Sequence, residues 1–275
     1  MNKYSHSSIF FPCDTLPVDS AALKSIQYCY TGTIPTNPFS CDTSKYHKKH
    51  IITSSNYAIS GDTMLIPAGV TYNGPFQFTG AGVLVICGTL NLSNSSWYSL
   101  SSSCKIVISS TGSMTLPYLT LNSGQEIDNY GSFTVSYPNL SGILNNYGTL
   151  TINGGLNITS PGTFTNYKTV TLTSDLDNNS GTVANYGSIT TPGNLNTDAN
   201  TFNNVGLLSI GGTLQVNGGT FVNQCQLLVA QNITIGTILR NFGYISSGNI
   251  STINGGGFLY LVQQLLKLPK KERVE

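Results

Sequence analysis

The 275-residue chain predicts an all-β fold, a single-stranded parallel β-solenoid with three short strands in each coil of about 19 residues. Three observations carry the prediction: a tripeptide that recurs at nearly constant spacing, apolar columns that appear when its copies are aligned, and a middle region almost devoid of charge. Asn129-Tyr130-Gly131 returns as Asn146-Tyr147-Gly148, Asn166-Tyr167-Lys168, Asn185-Tyr186-Gly187, Asn204-Val205-Gly206, Asn223-Gln224-Cys225 and Asn241-Phe242-Gly243. The steps are 17, 20, 19, 19, 19 and 18 residues. Self-similarity at such a period is the mark of a repeat architecture.

Aligned on the Asn, the copies agree in residue type. Two positions before it stand Ile127, Leu144, Phe164, Val183, Phe202, Phe221 and Leu239. Four positions after it stand Phe133, Leu150, Val170, Ile189, Leu208, Leu227 and Ile245. Two further on come Val135, Ile152, Leu172, Ile210 and Val229, interrupted by Thr191 and Ser247, and ten after the Asn come Leu156, Leu176, Leu195, Leu214 and Ile233. The alternation inside each copy has period two, which is the strand signature. One copy cannot bury such a face alone, whereas coils stacked about 4.8 Å apart pair every strand with the next and make a continuous core. The drifting coil length and the changing corner residues favour a right-handed winding, as parallel crossovers generally do.

Composition excludes several alternatives. The formal net charge is +1 and only 8% of residues are charged, against roughly 25% in an ordinary soluble domain, which disfavours helical folds. The polar surface comes instead from 32 Thr, 28 Asn and 29 Gly, residues of strands and tight turns. A near-neutral chain has no electrostatic footprint for nucleic acid. No run reaches the roughly 18 apolar residues of a transmembrane segment.

The charges divide the chain. Residues 1–50 hold eight of them together with all three His, Pro12, Pro17, Pro35 and Pro38, and read as an irregular cap or linker. Residues 51–257 read as the solenoid, with longer early coils at Gly61-Asp62-Thr63-Met64-Leu65-Ile66, Gly88-Thr89-Leu90-Asn91-Leu92 and Gly112-Ser113-Met114-Thr115-Leu116. Nine or ten coils make a rod roughly 45 Å long. Residues 258–275 read as a C-terminal cap or tail, with a short helix from Phe258 to Leu268 to shield the open core. Met1 to Phe11 lacks a cationic flank followed by an apolar run, so no secretory signal peptide is legible there. Of the six cysteines, Cys13, Cys29 and Cys41 can pair among themselves and Cys87 with Cys104, or all can be buried thiols. No His or Cys stands at metal-ligand spacing, so neither a metal nor another cofactor is expected.

The recurring Asn-Tyr-Gly with alternating Leu, Ile and Val over residues 61–257 resembles the parallel β-helices of secreted bacterial surface proteins, filamentous haemagglutinin-type adhesins in particular. The resemblance implies cell-surface or extracellular placement and attachment, to a glycan or a surface protein, as the default role. It carries over no catalytic residue.

Each column has a chemical use. Asn129, Asn146, Asn166, Asn185, Asn204, Asn223 and Asn241 share the parity of the apolar positions, so their amides are expected inside, bonded to one another and to the corner backbone. Tyr130, Tyr147, Tyr167 and Tyr186 have the opposite parity and are expected as an outward stripe that either meets a sugar or protein or stacks on itself. Outward Ser132 and Thr134, Thr149 and Thr151, Thr169 and Thr171, and Ser188 and Thr190 form hydroxyl rows that fit a glycan or protein contact, and are similar to ice-binding solenoids. Parallel β-helices also host polysaccharide hydrolases and lyases, which need positioned carboxylates. Asp175 and Asp177, with Asp198 one coil later, are the candidates, and Glu126 with Asp128 is a second pair. Lys168 and Arg240 lie at other columns, so neither pair is expected to have a cation beside it. The favoured function is a noncatalytic, adhesin-like display rod, with a carbohydrate-active enzyme and an ice binder as alternatives.

Overall fold

The computed structural model describes residues 29–46, 51–52, 57–93, 98–100, 103–252, 258–261 and 266–267. Every strand pairing in it is parallel, and each strand inside a sheet pairs with the strand one coil earlier and the strand one coil later. The architecture is therefore a β-solenoid with three strands per coil. Eleven strands, from Thr63–Ile66 to Phe258–Leu261, make the first sheet, and eleven more, from Thr71–Tyr72 to Leu266–Lys267, make the second. The third side carries three strands in the early coils (Tyr57–Ile59, Phe76–Phe78 and Tyr98–Ser99) and eight in the later ones, from Thr120–Leu121 to Asn249–Thr252.

Register follows the repeat. Asn129 pairs Asn146, Asn146 pairs Asn166, and so on to Asn223 with Asn241, so the aligned columns become physical stacks. Leu84, Ile106, Ile127, Leu144, Phe164, Val183, Phe202, Phe221 and Leu239 form one such stack, each almost fully withdrawn from solvent. Phe202 and Phe221 lie ring on ring at 5.0 Å. Burying a side chain of this size stabilises by about 1.5–3 kcal/mol, and the period of two repeats that gain on all three walls of every coil.

The C-terminal end differs from expectation. Phe258–Leu261 and Leu266–Lys267 extend the first and second sheets, where a cap or tail with a short helix was expected; the remainder of 258–275 lies outside the described residues. At the other end residues 29–46 are irregular apart from one 3-10 turn at Thr43–Lys45, opened by the Asp42 carboxylate accepting from the Ser44 amide. This segment is tied to the solenoid by disulfides Cys29–Cys225 and Cys41–Cys87. The expected pairing of Cys87 with Cys104 is thereby corrected. Cys104 lies in register with Gly82, five residues before Cys87's own position, a separation of about 16 Å that no disulfide spans. Cys104 is buried, and Cys13 lies outside the described residues.

One core stack breaks the apolar rule at two adjacent coils. Asn178 occupies the stack Ile158, Asn178, Thr197, Val216 and Ile235, and neither its amide nor the Thr197 hydroxyl finds a hydrogen-bond partner although both are buried. A buried polar group without a partner costs about 1–3 kcal/mol. Asn178→Leu, nearly isosteric, is therefore expected to raise stability by about that amount, read as an upward shift of the urea midpoint; an unchanged or lower midpoint contradicts the assignment.

Candidate functional site

The corner that closes the first sheet is built by the seven asparagines. Asn129, Asn146, Asn166, Asn185, Asn204 and Asn223 each donate Nδ2 to the Oδ1 of the asparagine one coil on, at 2.7, 2.8, 2.8, 2.8, 2.7 and 2.6 Å. The same amide nitrogens reach the carbonyls of Thr149, Thr169, Ser188, Leu207, Gln226 and Tyr244 at 2.9–3.1 Å. All seven side chains are buried. An asparagine fits here because its carboxamide is both donor and acceptor, so one side chain satisfies the coil above and the backbone at once.

One residue further on, the phenols of Tyr130, Tyr147, Tyr167 and Tyr186 stack at 4.5, 5.1 and 4.9 Å with planes within 19°. Each ring is half-buried. The stripe also has an occupant from within the chain. Tyr30 places its ring 4.8 Å from Tyr186 and 6.0 Å from Tyr167, and its amide donates to the Val205 carbonyl at 3.0 Å. From Cys29, anchored on the coil of Asn223, to Cys41, anchored on the coil of Ile86, twelve residues cover seven coil rises. That is about 34 Å against an extended reach of about 40 Å, so the segment is a taut strap. At its far end Phe39, Cys41 and Tyr46 cover Leu65, Val85 and Cys87 on the outer face of the first sheet. Reduction of both disulfides is expected to release residues 29–46 while the coils stay folded. Tyrosine iodination followed by peptide mapping would then rise at Tyr167 and Tyr186 with the far-ultraviolet circular dichroism unchanged.

The second carboxylate pair is joined by a cation that sequence reasoning overlooked. Lys105 Nζ lies 2.9 Å from Glu126 Oε1 and 2.7 Å from Asp128 Oδ2, and Asn145 Nδ2 donates to Asp128 Oδ1 at 2.9 Å. Lys105 occupies the position of Glu126 one coil earlier, a register visible only once the irregular early coils are aligned by structure. With every oxygen contact directed at a neighbouring coil, this cluster is a clasp between windings.

Ionisation of the corner works in one direction. Tyr130, Tyr147 and Tyr167 are all held above the ordinary phenol value of 10.0, chiefly by burial, with the Asp128 carboxylate adding to it at Tyr130 and Tyr147. At Lys105 burial opposes the charge, but hydrogen bonds and charges from Asp128 and Glu126 outweigh it and hold the ammonium above 10.5. For each group the folded value exceeds the unfolded one. Its stabilising contribution is present in full below about pH 10 and is lost as pH rises through the folded value. The melting temperature is therefore expected to fall steeply above pH 10, with phenolate absorbance at 295 nm appearing later than in the unfolded chain; simultaneous appearance would contradict the burial.

The third site set stands on the third side. Asp175 Oδ1 accepts from the Asn194 amide nitrogen at 2.6 Å, Asp177 Oδ1 from Asn196 Nδ2 at 2.7 Å, and Asp198 Oδ1 from Asn217 Nδ2 at 2.9 Å. Each carboxylate thus bridges to the following coil. Asp177 pairs Asn196 in register, which leaves Asp198 two positions further along the chain.

The hydroxyl rows face outward from the second sheet, with Ser132, Thr149, Thr169, Thr171 and Thr190 exposed and Ser113, Thr115, Thr134, Thr151 and Ser188 half-buried. Ser132, Thr149, Thr169 and Ser188 are paired in succession, as are Thr134, Thr151, Thr171 and Thr190. Ser113 and Thr115 add a fifth coil at the near end. Beyond Ser188 the rows give way to Leu207 with Ser209 and Gln226 with Leu228. Among the described residues no group of three metal-ligating side chains is assembled, and no helix is long and apolar enough to cross a membrane. In comparison with known proteins, the chain matches no family model, no curated protein and no solved structure.

Proposed function

We propose that the chain is a noncatalytic, extracellular binding module of adhesin-like character, a stiff rod whose second sheet presents hydroxyl rows to a glycan or a protein. The observation that carries this reading is the five-coil array from Ser113 and Thr115 to Ser188 and Thr190, in register on the outward face of the second sheet, half of it exposed and half partly buried. Hydroxyls both donate and accept, so a flat array of them suits a partner rich in the same groups. The two disulfides support an oxidising compartment. The noncatalytic part is supported by the engagement of Asp175, Asp177 and Asp198 in bonds between coils. The phenol stripe contributes less to display than the hydroxyl face, because the chain's own Tyr30 sits on it.

The test is retention of the purified chain on a printed array of glycans and extracellular-matrix proteins. Binding abolished by Thr134→Lys with Thr171→Lys supports the reading, and binding indifferent to both removes it. Ice is the second reading, favoured by the regular two-row spacing of about 4.8 Å along the rod. Thermal hysteresis abolished by Thr151→Tyr would establish it. Release of reducing ends from polysaccharides, lost in Asp177→Asn, would instead establish the hydrolase or lyase alternative.

A further inference from the structure

Two of the most exposed large hydrophobic side chains among the described residues are neighbours. Tyr118 is 54% and Tyr137 69% exposed. Thr120 pairs Asn139, so two residues earlier Tyr118 stands against Tyr137 on successive coils. Both occupy the corner between the second and third sheets, at the border of the hydroxyl face: Ser113 and Thr115 lead into Tyr118, and Ser132, Thr134 and Ser136 lead into Tyr137.

Tyr118 is held in place from the coil before it. Tyr98 stacks on Tyr118 at 5.4 Å and donates its hydroxyl to the Tyr118 carbonyl, and Phe76 stacks on Tyr98 at 5.7 Å. Tyr137 has φ 45°, a left-handed conformation that a β-carbon disfavours. Its ring lies over Gly154, where any β-carbon would collide with it. The strained backbone sets the ring with one side on Gly154 and most of its surface in water, and strained backbone of this kind gathers at functional sites.

The surroundings select the ligand. On the far side Asn139 and Asn157 are joined at 3.0 Å and Asn179 continues the row at 2.6 Å, so amides flank the rings opposite the hydroxyls. None of Ser113, Thr115, Ser132, Thr134, Ser136, Asn139 and Asn157 carries a charge, and Asp177, which pairs Asn157 one coil on, has its Oδ1 engaged by Asn196 Nδ2, so the rings themselves are bordered by neutral groups. A sugar ring offers an apolar C–H face for a phenol and equatorial hydroxyls for amides and hydroxyls beside it. From this geometry we infer that Tyr118 and Tyr137 form a binding platform for a neutral polysaccharide. The inference rests on the binding reading above and deepens it, naming the ligand class and moving the central contact to this corner.

The experiment is affinity electrophoresis of the full chain in native gels holding xyloglucan, mixed-linkage β-glucan, galactomannan or soluble starch. The wild type should be retarded by at least one of the four. Tyr118→Ala and Tyr137→Gly should each weaken that retardation tenfold or more. Tyr137→Gly removes the strain along with the ring, so its melting temperature should equal or exceed that of the wild type, which separates lost binding from lost folding. Migration unretarded in all four gels overturns the platform, as does a loss below tenfold in either variant. The hydroxyl-face reading fails separately, on the indifference of Thr134→Lys with Thr171→Lys in the array.

Discussion

Replacing Asn185 by alanine is expected to cost roughly 3–5 kcal/mol, the lower part of the range for three buried partners at about 1–3 kcal/mol each, because Asn166 Nδ2 keeps the Ser188 carbonyl as an acceptor. Asn166 Nδ2 would lose the Asn185 Oδ1 acceptor, and Asn204 Oδ1 and the Leu207 carbonyl would both lose the Asn185 Nδ2 donor. None of these groups can turn to water, because the whole ladder is buried. Asn185→Asp keeps the acceptor for Asn166 yet introduces a charge into the same dry corner, so it is expected to be no milder at neutral pH. Because coils contact only their neighbours, the damage should be local. Native-state hydrogen exchange would show protection lost around residues 163–207 first, and an unchanged exchange pattern there would refute the structural role of the ladder.

The second large effect is expected at Phe202. Its ring is buried, stacked on Phe221 on one side and set on Val183 on the other. Phe202→Ala is expected to destabilise by about 3–5 kcal/mol, the usual range for emptying an aromatic core site. Phe202→Leu should recover most of it, since Leu144 and Leu239 fill the same column elsewhere in the rod. Urea midpoints for the two variants decide the matter. Equal losses for Ala and Leu would mean that ring stacking, and not filled volume, holds the coil.

These predictions draw on parts of the fold that sequence reached unevenly. The Asn ladder and the stack from Ile127 to Leu239 were legible because stacked coils place like residues on like, so spacing along the chain translates into contact. Lys105 was not legible as the partner of Glu126 and Asp128, since the coils before Asn129 are 20–22 residues long and carry no Asn to align them. The tyrosine stripe was legible as outward, but its cover was not: Tyr30 lies 137 positions from Tyr167, and the disulfide from Cys29 to Cys225 with the Tyr30 amide bond to Val205 brings it there. Tyr118 and Tyr137 carry no periodic signal, because neither belongs to the repeated tripeptide. Their exposure and the φ of Tyr137 are properties of a corner, and corners are where coil length drifts.

By itself, then, the sequence determined the solenoid, the inward amides and the outward hydroxyl rows. The physical reason is that a period near 19 with internal alternation leaves one economical way to bury every apolar column. The tertiary structure alone decided where the strap runs, which cysteines meet, what joins Glu126 to Asp128 and which tyrosines face solvent. Those outcomes depend on contacts between segments with no shared period, and no spacing along the chain encodes them.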